Sequence, residues 1–364
     1  MSDSEAIDRI DDGRAWDEFC ERLKQTGHQI LEAAPDDSFD RAEGLRYLAR
    51  LTRNFLGNAL ADPQPRRYAL GHAISPKIGL DNPDYVYCGA SLDAHASYVL
   101  RGRMNDAHMI GFGTFSGALG TPTGLVRDGY LESQAMRVEA DGRFEITLSR
   151  EEPAGGGNWL PMGPETNSLQ ARQTLMRRAE QEQAEVVLER LGTADPTPPL
   201  DPAHFSRALD RAGMVLAGTV TQFLAWTESF KAHQHEIRPI DEKFLAVAQG
   251  DPSTSYNYSY WEIGADEAFV IDLDPPECEY WNLQLGNHWL ESFDFMSYQT
   301  HVNQETAVSD ADGHVRIVVA HRDPGVPNWL DTCGHRRGGL ALRWVGAKEI
   351  PEPRTEVVPL ASLR

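Results

Sequence analysis

The tripeptide Asn-Trp-Leu occurs twice, at Asn158–Leu160 and Asn328–Leu330, in a chain of 364 residues. Its neighbourhood repeats with it. Asp141-Gly142 stands 17 residues before the first Asn, and Asp312-Gly313 stands 16 before the second. Arg172 follows the first Asn by 14 residues and Arg343 follows the second by 15. Further upstream, Leu92-Asp93 precedes Tyr98 and Leu273-Asp274 precedes Tyr280. Landmarks in one order, with spacings that differ by a residue, predict an internal duplication over roughly 80–172 and 263–343. Two copies are too few for a solenoid. Within them, short alternating runs such as "YVYCGASLD", "SYVLRGRM", "HMIGFGTFSG" and "RFEITLSR" are separated by Gly, Pro, Asn and Asp, as strands are by turns. The expected class is α+β: duplicated β-sandwich repeats, jelly-roll-like, with N-terminal and central helical segments.

Four segments follow. Residues 1–66 read as two N-terminal helices. The second is capped by Asp37 or Ser38, carries Phe39, Ala42, Leu45, Ala49, Thr52, Phe55, Leu56 and Ala59 at helical spacing, and stops at Asp62-Pro63 with Pro65. Residues 67–175 form copy one and 251–364 copy two. Between them, 176–250 is expected to hold a polar helix at about Arg177–Leu191, a Pro-rich linker, and a long helix from His204 to about Phe230. Apolar residues cover most of that last helix, which predicts that it lies between other elements. Each Asp-Gly predicts a type I′ hairpin turn. Each repeated Trp is expected to plug the end of a sandwich with its indole N–H bonded.

Acidic residues outnumber basic ones by 55 to 34, a net charge of −21, which argues against a nucleic-acid backbone or an anionic membrane as partner. The N-terminus has neither a basic n-region nor an apolar h-region, and no apolar run nears the roughly 18 residues of a membrane span. A cytoplasmic protein is expected. Cys20, Cys88, Cys278 and Cys333 form no Cys-x-x-Cys pair and are expected to be buried free thiols. "GFGTFSGALGTPTG" is glycine-rich but lacks the P-loop Lys and Ser/Thr, and no flavin or dinucleotide motif occurs. The expected partners are a small molecule and, as a homo-oligomer, a second copy of the chain.

The succession of Asp-Gly, a β run, Asn-Trp-Leu and an Arg-bearing strand resembles the domain-of-unknown-function 1214 family. "DNPDYVYCGASLD" at 81–93 is similar to the start of such domains. Pro161 completes the family's Asn-Trp-Leu-Pro in the first copy, whereas the second has Asp331. Arg343 is followed by Trp344-Val345 where the family has an aromatic residue and Pro. The resemblance implies a β-sandwich and assigns no reaction.

Features common to both copies are expected to hold the fold, so function is sought where the copies differ. "HVNQE" at His301–Glu305 stands where copy one has "YLESQ" at Tyr130–Gln134, and His321 stands where copy one has Arg150. On a strand, His301, Asn303 and Glu305 share one side. His301, Glu305 and His321 are therefore expected to be acid–base catalysts or, in a metal reading, a 2-His-1-carboxylate set for a divalent ion. Asn303, Asn328, Trp329, His335, Arg343 and His288 are expected to bind substrate. The expected protein is an enzyme of lyase, hydratase or hydrolase type, acting on a small apolar or carbonyl-bearing metabolite in a pocket of copy two against the long helix. The alternatives are a non-catalytic ligand-binding sandwich module and a scaffold that uses one face for oligomerisation.

Overall fold

The computed structural model describes residues 1–60, 66–70, 77–192 and 199–363. The Asp62-Pro63-Pro65 stop and most of the Pro-rich linker lie outside the described residues. The fold is α+β, with five helices and four mostly antiparallel sheets among the described residues. Three N-terminal helices replace the expected two: α1 (Asp3–Asp11), α2 (Arg14–Ala33) and α3 (Ser38–Ala59). Gly13, at a φ of 82°, breaks the first stretch. Asp37 is the α3 cap, its carboxylate accepting from the Phe39 N–H at 2.7 Å.

The strands of the first half are β1 (Arg67–Ala69), β2 (Tyr85–Ser91), β3 (Tyr98–Arg103), β4 (Met109–Gly117), β5 (Leu125–Glu132), β6 (Arg143–Ser149), β7 (Asn158–Pro161), β8 (Ser168–Thr174) and β9 (Glu185–Arg190). Helix α4 (Pro202–Lys231) then leads through β10 (Arg238–Pro239) and α5 (Glu242–Ala248) into the second half. Its strands are β11 (Thr254–Glu262), β12 (Glu267–Leu273), β13 (Tyr280–Leu285), β14 (His301–Asn303), β15 (Val315–Ala320), β16 (Trp329–Asp331), β17 (Arg337–Val345) and β18 (Arg354–Pro359).

Two sheets serve each half. In the first they run β1-β9-β3-β6-β7 and β2-β8-β4-β5; in the second, β18-β12-β15-β16 and β10-β11-β17-β13-β14. Leaving aside the edge strands β1 and β10, the orders correspond strand for strand. The correspondence includes the parallel pairs, β6 with β7 and β15 with β16. In each half both sheets feed one core: Val86, Leu100, Phe112, Ile146 and Leu188 in the first, Trp261, Phe269, Leu283, Ile317 and Leu342 in the second.

The long helix fulfils its pattern. One part of α4 packs Leu216 and Val220 against α2 and α3 through Ile30, Tyr47 and Leu51. Another packs Phe223, Trp226 and Phe230 against Tyr258, Tyr260 and Ala341 of the second half.

Three local expectations are corrected. No helix forms over Arg177–Leu191: a turn brings the Glu180 N–H to the Arg177 carbonyl at 2.8 Å, and Glu185–Arg190 is β9. Val186 and Leu188 enter the core there, so closing the β3 edge outweighs the helix preference of Glu, Gln and Ala. The Asp-Gly turns are not type I′, because Asp141 and Asp312 lack positive φ, while Gly142 and Gly313 lie at 84° and 89°. Gly142 N–H and Gly313 N–H bond back to Glu139 and Asp310, leaving a single left-handed glycine to end each turn. Lastly, the four cysteines are free, but only Cys88 is buried.

Candidate functional site

The repeated Asn-Trp-Leu has a structural answer. Asn158 accepts from the Arg137 N–H at 2.7 Å and donates to the Arg137 and Glu145 carbonyls. Asn328 does the same with Val308 N–H at 2.8 Å and the Val308 and Arg316 carbonyls. Trp159 donates its indole N–H to the Ser149 carbonyl and Trp329 to that of Ala320. Leu160 and Leu330 enter the two cores, while Trp329 packs on the outer face of its sheet with Val318 and Ala320. It is thus the leucine that enters the core, and the Trp does not plug its end. Asn328 and Trp329, expected at a ligand, spend these polar groups on backbone.

The faces of the β2-β8-β4-β5 and β11-β17-β13-β14 sheets that point away from their own cores are where the halves meet. Tyr85, Met109 and Met176 pack there against Tyr280 and Val345. Corresponding rows cross these two sheets. In the first, Tyr87 lies opposite Arg172, then Gly111, then Glu132; in the second, Tyr256 lies opposite Arg343, then Asn282, then Asn303. Both rows are preceded by the same turn, Asn82-Pro83-Asp84 and Asp251-Pro252-Ser253. The side chains of Asn82 and Asp251 each accept the N–H two residues on at 3.0 Å. Their own N–H groups donate to the Tyr87 and Tyr256 hydroxyls at 3.0 and 2.7 Å.

Each turn docks on the opposite half, which builds two polar clusters. In one, His301 Nε2 lies 3.1 Å from Asp84 Oδ1, and the Tyr280 hydroxyl donates to Asp84 Oδ2 at 2.6 Å. Asn282 donates to Asn82 at 3.0 Å, and Arg343 donates to Gln284 at 2.6 Å and to the Leu80 carbonyl. This cluster is closed by its own chain.

The other cluster is more open. The Tyr130 hydroxyl donates to Asp251 and lies 3.3 Å from Glu132 Oε1. Ser253 Oγ lies 2.6 Å from Glu132 Oε1 and 2.7 Å from Asp251 Oδ1. The one serine proton is thus within reach of both carboxylates. Burial raises the Glu132 carboxyl above its ordinary value, and the Asp251 charge adds to this against the hydrogen bond from Ser253. Beside Asp251 a cavity of about 290 Å³ is lined by Arg127, Leu245, Gln249, Gly250, Asp251 and Thr254.

The expected catalytic residues are not brought together. His301 faces Asp84, with its Nδ1 buried and without a partner among the described residues. Glu305 lies beyond β14 in a turn, exposed, 3.4 Å from Arg177. The strand is too short to place it beside His301. His321 is held by Thr332 Oγ1 at 2.9 Å and the Ile263 carbonyl at 3.2 Å. No group of three metal-ligating side chains occurs among the described residues, so this set does not form a metal centre.

The binding set is dispersed as well. Asn303 is buried, donating to the Met176 carbonyl and accepting from the Glu305 and Thr306 N–H groups. His288 Nδ1 sits 2.7 Å from the Tyr260 hydroxyl, and burial lowers its pKa to about 4. His335 stacks on Phe293 and lies 3.7 Å from Glu43.

Sequence reasoning missed Glu132, Tyr130, Asp251 and Ser253. The signal was present: the alignment of "YLESQ" with "HVNQE" agrees with the observed register, in which Tyr130 matches His301 and Glu132 matches Asn303. Glu132 and Tyr130 stand in the copy without the histidines, and Asp251 and Ser253 reach them from the turn before β11 of the other.

The family model described as protein of unknown function (DUF1214) matches residues 119–175 and 263–349, one segment in each half. An uncharacterised protein of Burkholderia cenocepacia is 38% identical in sequence, with a TM-score of 0.91 over 98% of this chain and 99% of that one. A protein of Vibrio parahaemolyticus aligns over 93% of this chain and 99% of its own at 13% identity and a TM-score of 0.47. No curated protein matches the chain. With one family segment in each half and Asn-Trp-Leu in both, the chain belongs to the DUF1214 family and carries its domain twice.

Proposed function

We propose that the protein is an acid–base enzyme for a small carbonyl-bearing metabolite, of lyase, hydratase or hydrolase type, working at Glu132, Asp251, Tyr130 and Ser253. The observation that carries this reading is the convergence of two carboxylates on one hydroxyl: Ser253 Oγ lies 2.6 Å from Glu132 Oε1 and 2.7 Å from Asp251 Oδ1. A carboxyl whose pKa burial has raised holds a proton at higher pH than usual and can give it up and regain it during turnover. Glu132 is the acid, Ser253 relays its proton towards Asp251, and the Tyr130 hydroxyl, by donating to Asp251, steadies the negative charge of that partner. We also infer that the two halves are copies of one two-sheet sandwich; the matched strand orders and the single core of each half support this.

The test is deuterium wash-in. Cyclohexanone and pyruvate are incubated with protein in deuterated buffer, and exchange next to the carbonyl is followed by proton NMR. The carboxylate takes the proton, deuterium returns, and no other reactant is needed. Exchange above the buffer rate that falls at least about a hundredfold in Glu132→Gln supports the reading. Exchange at the same rate in Glu132→Gln and Asp251→Asn refutes it. Binding of either compound without exchange would instead favour a non-catalytic module, for which the half-buried Tyr87, Tyr130 and Tyr256 provide aromatic walls.

A further inference from the structure

Arg172 and Arg343 occupy corresponding positions, yet their surroundings differ. Arg343 is satisfied: Gln284 and the Leu80 carbonyl accept from its guanidinium, and the Tyr256 ring lies 6.0 Å away. In the register that pairs Gln284 with Ala341, the first half pairs Gly113 with Gln170. The side chain that would hold the guanidinium is therefore missing in the first half. Gly111, opposite Arg172, stands where the second half has Asn282. A Cβ on Gly111 would overlap the Tyr130 hydroxyl. Among the described residues Arg172 makes neither a hydrogen bond nor an ion pair, although most of its surface is buried. A partly desolvated guanidinium whose N–H groups find no acceptor is costly, and a ligand that supplies acceptors there removes that cost.

What surrounds Arg172 indicates which ligand. Tyr87 is its partner on β2; Gly111, its partner on β4, faces the Tyr130 hydroxyl and the Asp251 carboxylate, and the Tyr256 hydroxyl accepts the Asp251 N–H. The Tyr87 and Tyr256 hydroxyls each accept a backbone N–H, which leaves their own protons to donate. A guanidinium with two phenolic donors suits a carboxylate, which takes paired hydrogen bonds from the guanidinium fork. Asp251 and Glu132 stand close by and repel a second negative charge, so a monoanion is favoured over a phosphate dianion. Tyr87, Tyr130, Arg172 and Tyr256 are all partly exposed to solvent.

We propose that Arg172, with the hydroxyls of Tyr87 and Tyr256, binds the carboxylate of a small organic monoanion and presents its other end to the Glu132–Asp251 pair. This rests on the acid–base reading for the role of the bound molecule, but the anion site is testable without it. The probe is benzoate, titrated calorimetrically into the full chain beside inorganic phosphate. Wild type is expected to bind benzoate and not phosphate. Arg172→Gln is expected to weaken benzoate binding about thirtyfold or more, since it removes the charged partner of a desolvated pair. Tyr256→Phe, which keeps the ring, is expected to weaken it about fivefold. Should Arg172→Gln fail to fold by circular dichroism, Tyr256→Phe and Tyr87→Phe carry the test. No benzoate binding by wild type, equal binding by the variants, or phosphate binding as tight as benzoate would overturn the proposal. The two readings separate cleanly. Benzoate binding without deuterium exchange leaves the anion site standing and removes the chemistry, whereas pyruvate exchange unaffected by Arg172→Gln does the reverse.

Discussion

Glu43 is a carboxylate on α3 that the fold keeps ionised out of water. Burial opposes its charge, but His335, the Asn287 amide at 2.8 Å and Arg46 hold its pKa down at about 2. The sign follows from linkage. A carboxyl depressed from 4.5 to about 2 contributes stability above the unfolded value, and loses it as pH falls through the folded one. Wild type should therefore lose on the order of 3 kcal/mol from this group between about pH 4.5 and 2. Glu43→Gln should be less stable at neutral pH and show a flatter acid limb in urea unfolding at a series of pH values. An acid limb as steep as that of wild type would show that Glu43 is not the responsible charge. Glu291, 1% exposed and 2.5 Å from Arg50, has the opposite tendency, because burial raises its pKa.

At the scale of elements, the two Asn side chains fasten separate segments. Asn328 ties the chain at Val308 to β15 and to the start of β16; Asn158 ties Arg137 to β6 and β7. Asn328→Ala should cost about 2–4 kcal/mol, because it leaves several backbone groups unpaired. Asn158→Ala should cost less, since that Asn is more open to water. Denaturant unfolding of both variants checks the order; equal losses below about 0.5 kcal/mol would contradict the fastening role. The same scale explains the misread at β9. Good helix formers fill that stretch, yet the open β3 edge and a core lacking Val186 and Leu188 decide the outcome.

Across the whole molecule, the halves are joined by reciprocal turns, with the turn before β2 meeting β13 and β14 and the turn before β11 meeting β5. Tyr280→Phe removes the hydroxyl that donates to the buried Asp84 and should cost about 1.5–3 kcal/mol, the range for a hydrogen bond to a charged group. Because the clusters span the halves, the loss should appear in one unfolding transition seen alike by tryptophan fluorescence and circular dichroism. Two separated transitions in wild type would refute the coupling. No helix among the described residues is long and apolar enough to cross a membrane. The duplication and the long helix were legible in the sequence, because repeat spacing and helical periodicity are local patterns that packing reinforces; that the repeated Asn and Trp bond backbone was not, since their partners lie on other strands. The polar clusters were not. Glu132 and Asp251 are 119 residues apart, Asp84 and His301 are 217 apart, and each pair meets only through the docking of one half on the other. Spacing along a chain records which residues share a strand, whereas which charge is left without a partner depends on what the opposite sheet places in front of it.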